Sequence, residues 1–281
     1  MMGIEETKVR KLDVLIATHG DDGLKRVGEM KLPEVDGVRY IVTWQRGNSC
    51  RDTLPDGLLR DDIEIHISNT TGLSNNRNAG IAAAKAPYCL IADNDLTYKP
   101  EGLRAVIEAL DTHPETDVAT FRHAGEPIHY PTETVDFTEQ MPAGYNVTSF
   151  ETAFRRDSIG KIRYDVNFGI GAPLACCEDP VFILDCRRAG LRCRFFPITI
   201  VEHKGYSTGY RPITDPRVAM AEGAYIRLAY GAGGYLRIPL FAWRAKRKGR
   251  MPLLWGICHL TRGFFSSYIA IHKSTFKEMQ K

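Results

Sequence analysis

Two aspartates one residue apart, Asp93-Asn94-Asp95, follow the apolar run Tyr88 to Ala92. In extended backbone alternate side chains share a face, so Asp93 and Asp95 can converge on one hard cation. Such a cation, left partly hydrated, suits substrate phosphates. The competing reading is an Asx turn that ends the strand, and a lone D-x-D motif favours that reading. A second group, Gly72-Leu-Ser-Asn-Asn-Arg-Asn78, opens a helical segment. Free amides at a helix head attract anions, and Asn76 and Arg77 add donors there. A helix-head anion site followed by paired acids fits a nucleoside diphosphate bridged by a divalent metal. Glu178-Asp179 stands before Pro180, where residue type alone makes Asp179 an N-cap. His203 follows an apolar run and is by default a polar strand-end residue.

The elements that must position these groups alternate. Apolar runs at Val14 to Thr18, Tyr40 to Trp44, Ile63 to Ile67, Tyr88 to Ala92 and Val118 to Arg122 predict strands. His19 to Gly23 after the first strand reads as a loop. Ser74 is a good N-cap for a helix running to Lys85, and Pro100 begins another that ends near Leu110. Strand and helix in alternation predict an α/β fold with a doubly wound, mainly parallel sheet. In such sheets ligands sit beyond the carboxyl ends of the strands, where Thr18, Asp93 and Asp95 fall. Beyond His123 the pattern loosens into a long polar segment to Asn146. A strand-like stretch follows from Val147 to Arg155. A helix from Asp179 to Gly190 and a strand from Arg192 to Glu202, broken at Pro197, complete the reading.

Gly-x-Gly-x-x-Gly is absent after the first strand, as is a Walker A sequence, so neither a dinucleotide nor a P-loop site is expected. The 281 residues, 43% hydrophobic and 25% charged, are globular in composition. Neither a signal peptide nor a run of the roughly 20 apolar residues that a spanning helix needs is visible. Seven cysteines form no CxxC pair and no zinc spacing, which favours reduced thiols and a cytoplasmic location.

GLSNNRNAGIAAAKAPYCLIADND resembles the donor-binding half of family 2 glycosyltransferases of the GT-A type. SFETAFRRDSI, VNFGIGA, CEDPVF and EHKGYSTG follow in the order that such enzymes show, so the resemblance covers roughly residues 11–208. It implies that Asp93 contacts a nucleotide sugar and that Asp95, with Asp93, binds Mn²⁺ or Mg²⁺. His203, ahead of Ser207, would complete the metal shell. Thr18 would border the nucleoside, and Arg77 would lie near the diphosphate. Ser74 and Asn78 on the same helix head join the donor contacts. Asp179 becomes the general base, with Glu178 the alternative, and Phe168, Gly169 and Gly171 shape the acceptor loop. The chain departs from the family pattern at Cys177-Glu178-Asp179, usually Gly-Glu-Asp, and at Ala17-Thr18-His19-Gly20, usually Pro-x-Tyr/His-Asn.

The implied activity is an inverting, metal-dependent transfer from a nucleotide sugar, a UDP-sugar first, to a glycan or lipid-linked acceptor. A sugar-phosphate nucleotidyltransferase is the enzymatic rival, but its Gly-rich basic loop after the first strand is missing. A non-enzymatic glycan-binding protein is the other. Residues 1–234 would form the catalytic domain, with a donor half at about 11–122 and an acceptor half at about 123–234. The remaining residues, 235–281, form a helical, basic, aromatic extension. It holds ten Lys or Arg against one acid, Glu278, a net +9 in a chain of net +3. Trp243, Trp255, Phe241, Phe264, Phe265 and Tyr268 lie among these cations. Such a tail either packs on the core or sits peripherally on an anionic, cytoplasmic membrane face. No nucleic-acid-binding motif accompanies it.

Overall fold

A computed structural model describes residues 10–47, 53–125, 129–203 and 212–280. Cys50 and Ser207 lie outside the described residues; the other six cysteines are free thiols. The chain divides into two compact units, one of residues 1–69, 79–160 and 191–204, the other of 70–78, 161–190 and 205–281.

The first unit is built on a sheet. Its elements are β1 (Leu12–His19), α1 (Gly20–Glu29), β2 (Val38–Gln45), β3 (Ile63–Ser68), β4 (Tyr88–Ala92), β5 (Leu96–Tyr98) and α3 (Pro100–Thr112). β6 (Val118–Ala124), β7 (Val135–Asp136), β8 (Thr152–Arg155), α4 (Arg156–Ile159) and β9 (Cys193–His203) follow. Helix α2 (Leu73–Ala83) has its first six residues in the second unit and the rest here. Among the described strands the order is β3-β2-β1-β4-β8-β6-β9-β5, with β7 on β9. β3, β2, β1 and β4 run parallel, which is the doubly wound half expected from the alternation. β8 enters antiparallel to β4 and β6, and β6 pairs parallel with β9.

The central strands are continuous apolar runs because they are covered on both faces; β4 is buried throughout. Asp13, the second residue of β1, is a buried exception. Its carboxylate accepts from Arg39, its register partner on β2, at 2.7 and 2.8 Å, and from the amides of Lys85 and Ala86. Burial opposes this charge, but Arg39 and the two amides outweigh it and hold Asp13 below the usual carboxylate range.

Three local expectations are corrected. His19 to Gly23 does not form a loop: α1 starts at Gly20, with Asp21 and Asp22 in its first turn and Leu24 and Val27 facing the core. Acids at a helix head and apolar residues three apart are helix signals that a stretch rich in Gly and Asp obscured. Nor does Pro197 break the last strand. β9 runs through it, and the pairing with β6 shifts register between Thr120 and Arg122, so the missing N–H falls at an irregularity. The stretch after Val147 starts as a 3-10 turn, Ser149–Glu151, before β8.

The second unit is helical: α5 (Glu178–Arg188), α6 (Pro216–Tyr230), α7 (Ile238–Arg247), α8 (Leu253–Phe264) and α9 (Tyr268–Met279). Asp215 caps α6 by accepting from the Arg217 amide at 2.8 Å. α6 and α8 approach so closely that a Cβ on Gly223 would lie 2.0 Å from Leu260 O, and one on Gly263 1.8 Å from Met220 O. Phe168, Leu174 and Val181 share a core with Ala221, Ala224 and Leu228 of α6 and Ile269 of α9. The position 234/235 thus falls inside this unit, and Phe264 and Leu260 of the basic segment are buried in it.

Candidate active site

At the carboxyl end of the parallel strands, the first unit gathers Thr18, Asp93, Asn94, Asp95, Ser149 and His203. Thr18 is buried at the end of β1, and its Oγ1 accepts from Asn94 Nδ2 at 2.9 Å. This bond ties the acid-bearing turn to the first strand. Gly23 of α1 permits it, since a Cβ there would meet Thr18 Oγ1 at 2.4 Å. Asp93 Oδ2 accepts from Ser149 Oγ at 3.3 Å. β5 pairs antiparallel with β9 so that Leu96 faces His203, and this register brings His203 Nε2 to 3.7 Å from Asp95 Oδ2. The His203 ring is held by Phe150, at 5.3 Å between centroids, and by His123 at 6.1 Å. The Asp95 carboxylate is 54% exposed, whereas His203 is nearly covered. A half-exposed carboxylate facing an imidazole, with a second carboxylate two residues back, is a donor set for a borderline divalent cation. Among the described residues no group of three or more His, Cys, Asp or Glu gathers to hold a metal unaided. A cation here would therefore draw further ligands from substrate phosphate and water.

The second unit carries the other candidates. Arg77, in the first part of α2, is buried, and its Nη1 donates to Asp179 Oδ1 at 2.8 Å and to Glu178 Oε1 at 3.2 Å. Its guanidinium lies 5.3 Å from the Tyr164 ring centroid, and that ring stacks on Phe182 at 4.4 Å. Arg77 is thus a buried cation held by two carboxylates. A buried guanidinium takes the nearest charge-assisted acceptors. Asn78 is likewise engaged: its amide donates to Tyr164 O and accepts from Tyr164 N, both at 2.8 Å.

Ser74 does not cap α2, because the helix already includes Leu73. Its buried hydroxyl donates to Phe168 O at 2.6 Å. Gly72, at φ +89, makes the turn into the helix, and Leu73 N donates to Ile170 O at 2.9 Å. Asp179 is not the N-cap of α5 either. Cys177 takes that position at φ +69, which puts Glu178 and Asp179 in the first turn. The left-handed backbone explains why the family pattern has Gly where this chain has Cys177. Glutamate and aspartate in a first turn are stabilised as anions by the helix dipole.

The loop before α5 is close-set. A Cβ on Gly169, at φ +105, would lie 3.2 Å from both Glu178 Cδ and Ser74 Oγ, so glycine is required by approach as well as by conformation. Phe168, expected to shape an acceptor loop, is wholly buried and belongs to the core; Val166 and Ile170 are the exposed apolar residues there. Sequence reasoning also missed two buried polar clusters. In the sheet unit Glu151 accepts from His123 Nδ1 at 2.7 Å and from Tyr130, whose hydroxyl burial pushes far up. In the helical unit His272 of α9 lies between Asp165 at 2.7 Å and Asp185 at 3.2 Å. Neither leaves a local sequence signal, since each joins residues from separate elements.

Residues 60–170 match the family model Glycosyl transferase family 2. No curated protein matches the sequence. Among solved structures, S. aureus TarS 1-349 is similar with TM-score 0.55 and 14% identity, covering 90% of each chain. The same protein in complex with UDP-GlcNAc gives TM-score 0.57 and 16% identity over 84% of this chain and 73% of that one. Its complex with UDP gives 0.55 and 15% over 84% and 72%. At these identities the structural likeness speaks to fold, and the fold agrees with the α/β expectation. The likeness to family 2 glycosyltransferases thus rests on residues 60–170, and the fold is of the GT-A type.

Proposed function

We propose that this chain transfers a sugar, with inversion, from a UDP-sugar to a hydroxyl of a glycan or lipid-linked acceptor. The observation that carries the reading is the strand-end pair Asp95 and His203 beside Asp93, on a family 2 domain. The ligands of the similar structures, UDP and UDP-GlcNAc, favour uridine in the donor. Asp95, Asp93 and His203 would hold Mn²⁺ or Mg²⁺, which would supply positive charge to the leaving diphosphate. Thr18 and Asn94 shape the strand-end floor on which the nucleoside is expected.

The chemistry asked of the chain is one proton transfer. The acceptor oxygen attacks the anomeric carbon, the bond to the diphosphate breaks, and Asp179 takes the hydroxyl proton. Arg77 and the α5 head orient the Asp179 carboxylate. Glu178, more buried and also bound to Arg77, serves better as a second acceptor of that cation. A lipid-linked acceptor would be met at a cytoplasmic membrane surface, which suits the basic C-terminal helices.

The test is a panel of nucleotide sugars with Mn²⁺ or Mg²⁺, scored by thermal shift and by slow hydrolysis to free nucleotide. Stabilisation by UDP-sugars that depends on the metal is expected. No shift and no hydrolysis with any donor would sink the reading.

A further inference from the structure

The basic C-terminal helices expose an ordered apolar line that no part of the transfer reaction uses. α7 turns Ile238, Ala242 and Ala245 inward. On its other side Leu236, in the 3-10 turn before the helix, is 83% exposed, and Leu240 and Trp243 are each close to half exposed. Their spacing of four and then three residues sets them along one stripe. Arg247, four residues after Trp243, continues the stripe, with its guanidinium 5.0 Å from the indole centroid. Arg237, Arg244 and Lys248 flank one side at helical spacing and Lys246 the other, all exposed. Beside the start of the stripe the Tyr235 ring lies 5.6 Å from Phe265, itself 69% exposed. Residues 231–250 contain no Asp or Glu.

Single exposed apolar residues are ordinary, but a line of leucines and aromatics bordered on both sides by cations is not. It is the arrangement of a helix lying in a membrane interface, with its apolar side chains among acyl chains and its cations at headgroup level. Among the described residues no helix is long and apolar enough to cross a membrane, so the contact is with a surface. We propose that the chain docks on an anionic lipid bilayer through the Leu236-Leu240-Trp243 stripe of α7, with Tyr235 and Phe265 at its edge. The charge around the stripe selects the occupant. A neutral protein groove would match the leucines but leave the cations unmatched, and a nucleic acid would match the cations but not the leucines.

This docking does not rest on the transfer reading, so its test needs no donor. The full chain is sedimented with phosphatidylcholine vesicles, with and without phosphatidylglycerol, at low and at raised salt. Binding only to the anionic vesicles, weakened by salt, is expected. Leu240→Ser with Trp243→Ser lowers the partition coefficient by about tenfold or more, because apolar insertion is lost. Arg244→Glu with Arg247→Glu abolishes binding to the anionic vesicles. Each change is on an exposed side chain, so thermal melting should stay that of the parent. Brominated lipid should quench the tryptophan emission, and Trp243→Phe should remove that quenching while binding persists. Negligible sedimentation at low salt overturns the proposal. So does binding that the serine pair leaves unchanged, which would mark a merely polyanion-binding face, or quenching that survives Trp243→Phe.

Discussion

Arg77 Nη1 donates to Asp179 Oδ1 at 2.8 Å, joining the head of α2 to the head of α5 inside one compact unit. The Arg77 side chain is 2% exposed, so this cation depends on Asp179 and Glu178 for its charge balance. Replacing it with an apolar side chain leaves two adjacent carboxylates without their cation. Arg77→Met is expected to destabilise the fold by about 3–5 kcal/mol, the usual cost of orphaning one side of a buried ion pair. Urea denaturation checks this. Arg77→Lys should recover part of the stability but not the shared geometry, since an ammonium lacks the planar fork.

Asp179→Asn separates the base from the structural partner. The amide still accepts from Arg77, so melting should change little more than the loss of one charge-assisted bond allows, about 1–2 kcal/mol. Transfer turnover should fall by about 10²–10⁴-fold, since an amide takes no proton at neutral pH. Normal turnover in this variant would leave Asp179 a structural anion only.

Asp95 is half exposed and contributes little packing, so Asp95→Ala should melt as the parent does. Titration calorimetry in Mn²⁺ should show donor affinity lost, and His203→Gln should weaken it less. Unchanged affinity in both variants would remove the metal from this strand end.

His272 tests whether α9 is held by charge. Burial works against its protonation, but the hydrogen bonds it donates to Asp165 and Asp185 outweigh this and push it up from 6.5 to about 9. Of its partners, Asp165 is held below the usual range by His272, whereas burial pushes Asp185 up. Because the folded value lies above the unfolded one, the contribution is complete below about pH 6.5. It is lost as pH rises through about 9. His272→Gln should therefore cost about 3 kcal/mol at pH 6, where both carboxylates lose their cation, and much less above pH 9. Urea midpoints of parent and variant on both sides of pH 9 give the comparison. A pH-independent difference would mean that His272 serves packing alone.

Removing residues from Tyr235 onward should unfold the helical unit. α8 packs on α6 backbone to backbone at Gly223 and Gly263, and Phe264 and Leu260 fill that core. Loss of cooperative melting in the truncated chain is the expected result.

The local signals in this sequence carried the strands and the strand-end acids. Tyr88–Ala92 is strand over the very residues of its apolar run, and the paired aspartates stand just beyond it. Pro100 starts a helix as its fixed backbone angle requires. These are decided by residues within a few positions of one another, which is the range over which periodicity and turn chemistry act. What only the tertiary structure decided is the use made of each polar side chain. Ser74 bonds Phe168, 94 residues away, and Arg77 bonds Asp179, 102 away. The left-handed Cys177 moved the head of α5 and took the cap from Asp179. Residue type says that a serine, an arginine or an aspartate will be satisfied, and only the folded chain selects the partner, because hydrogen bonds and ion pairs are made by proximity in space.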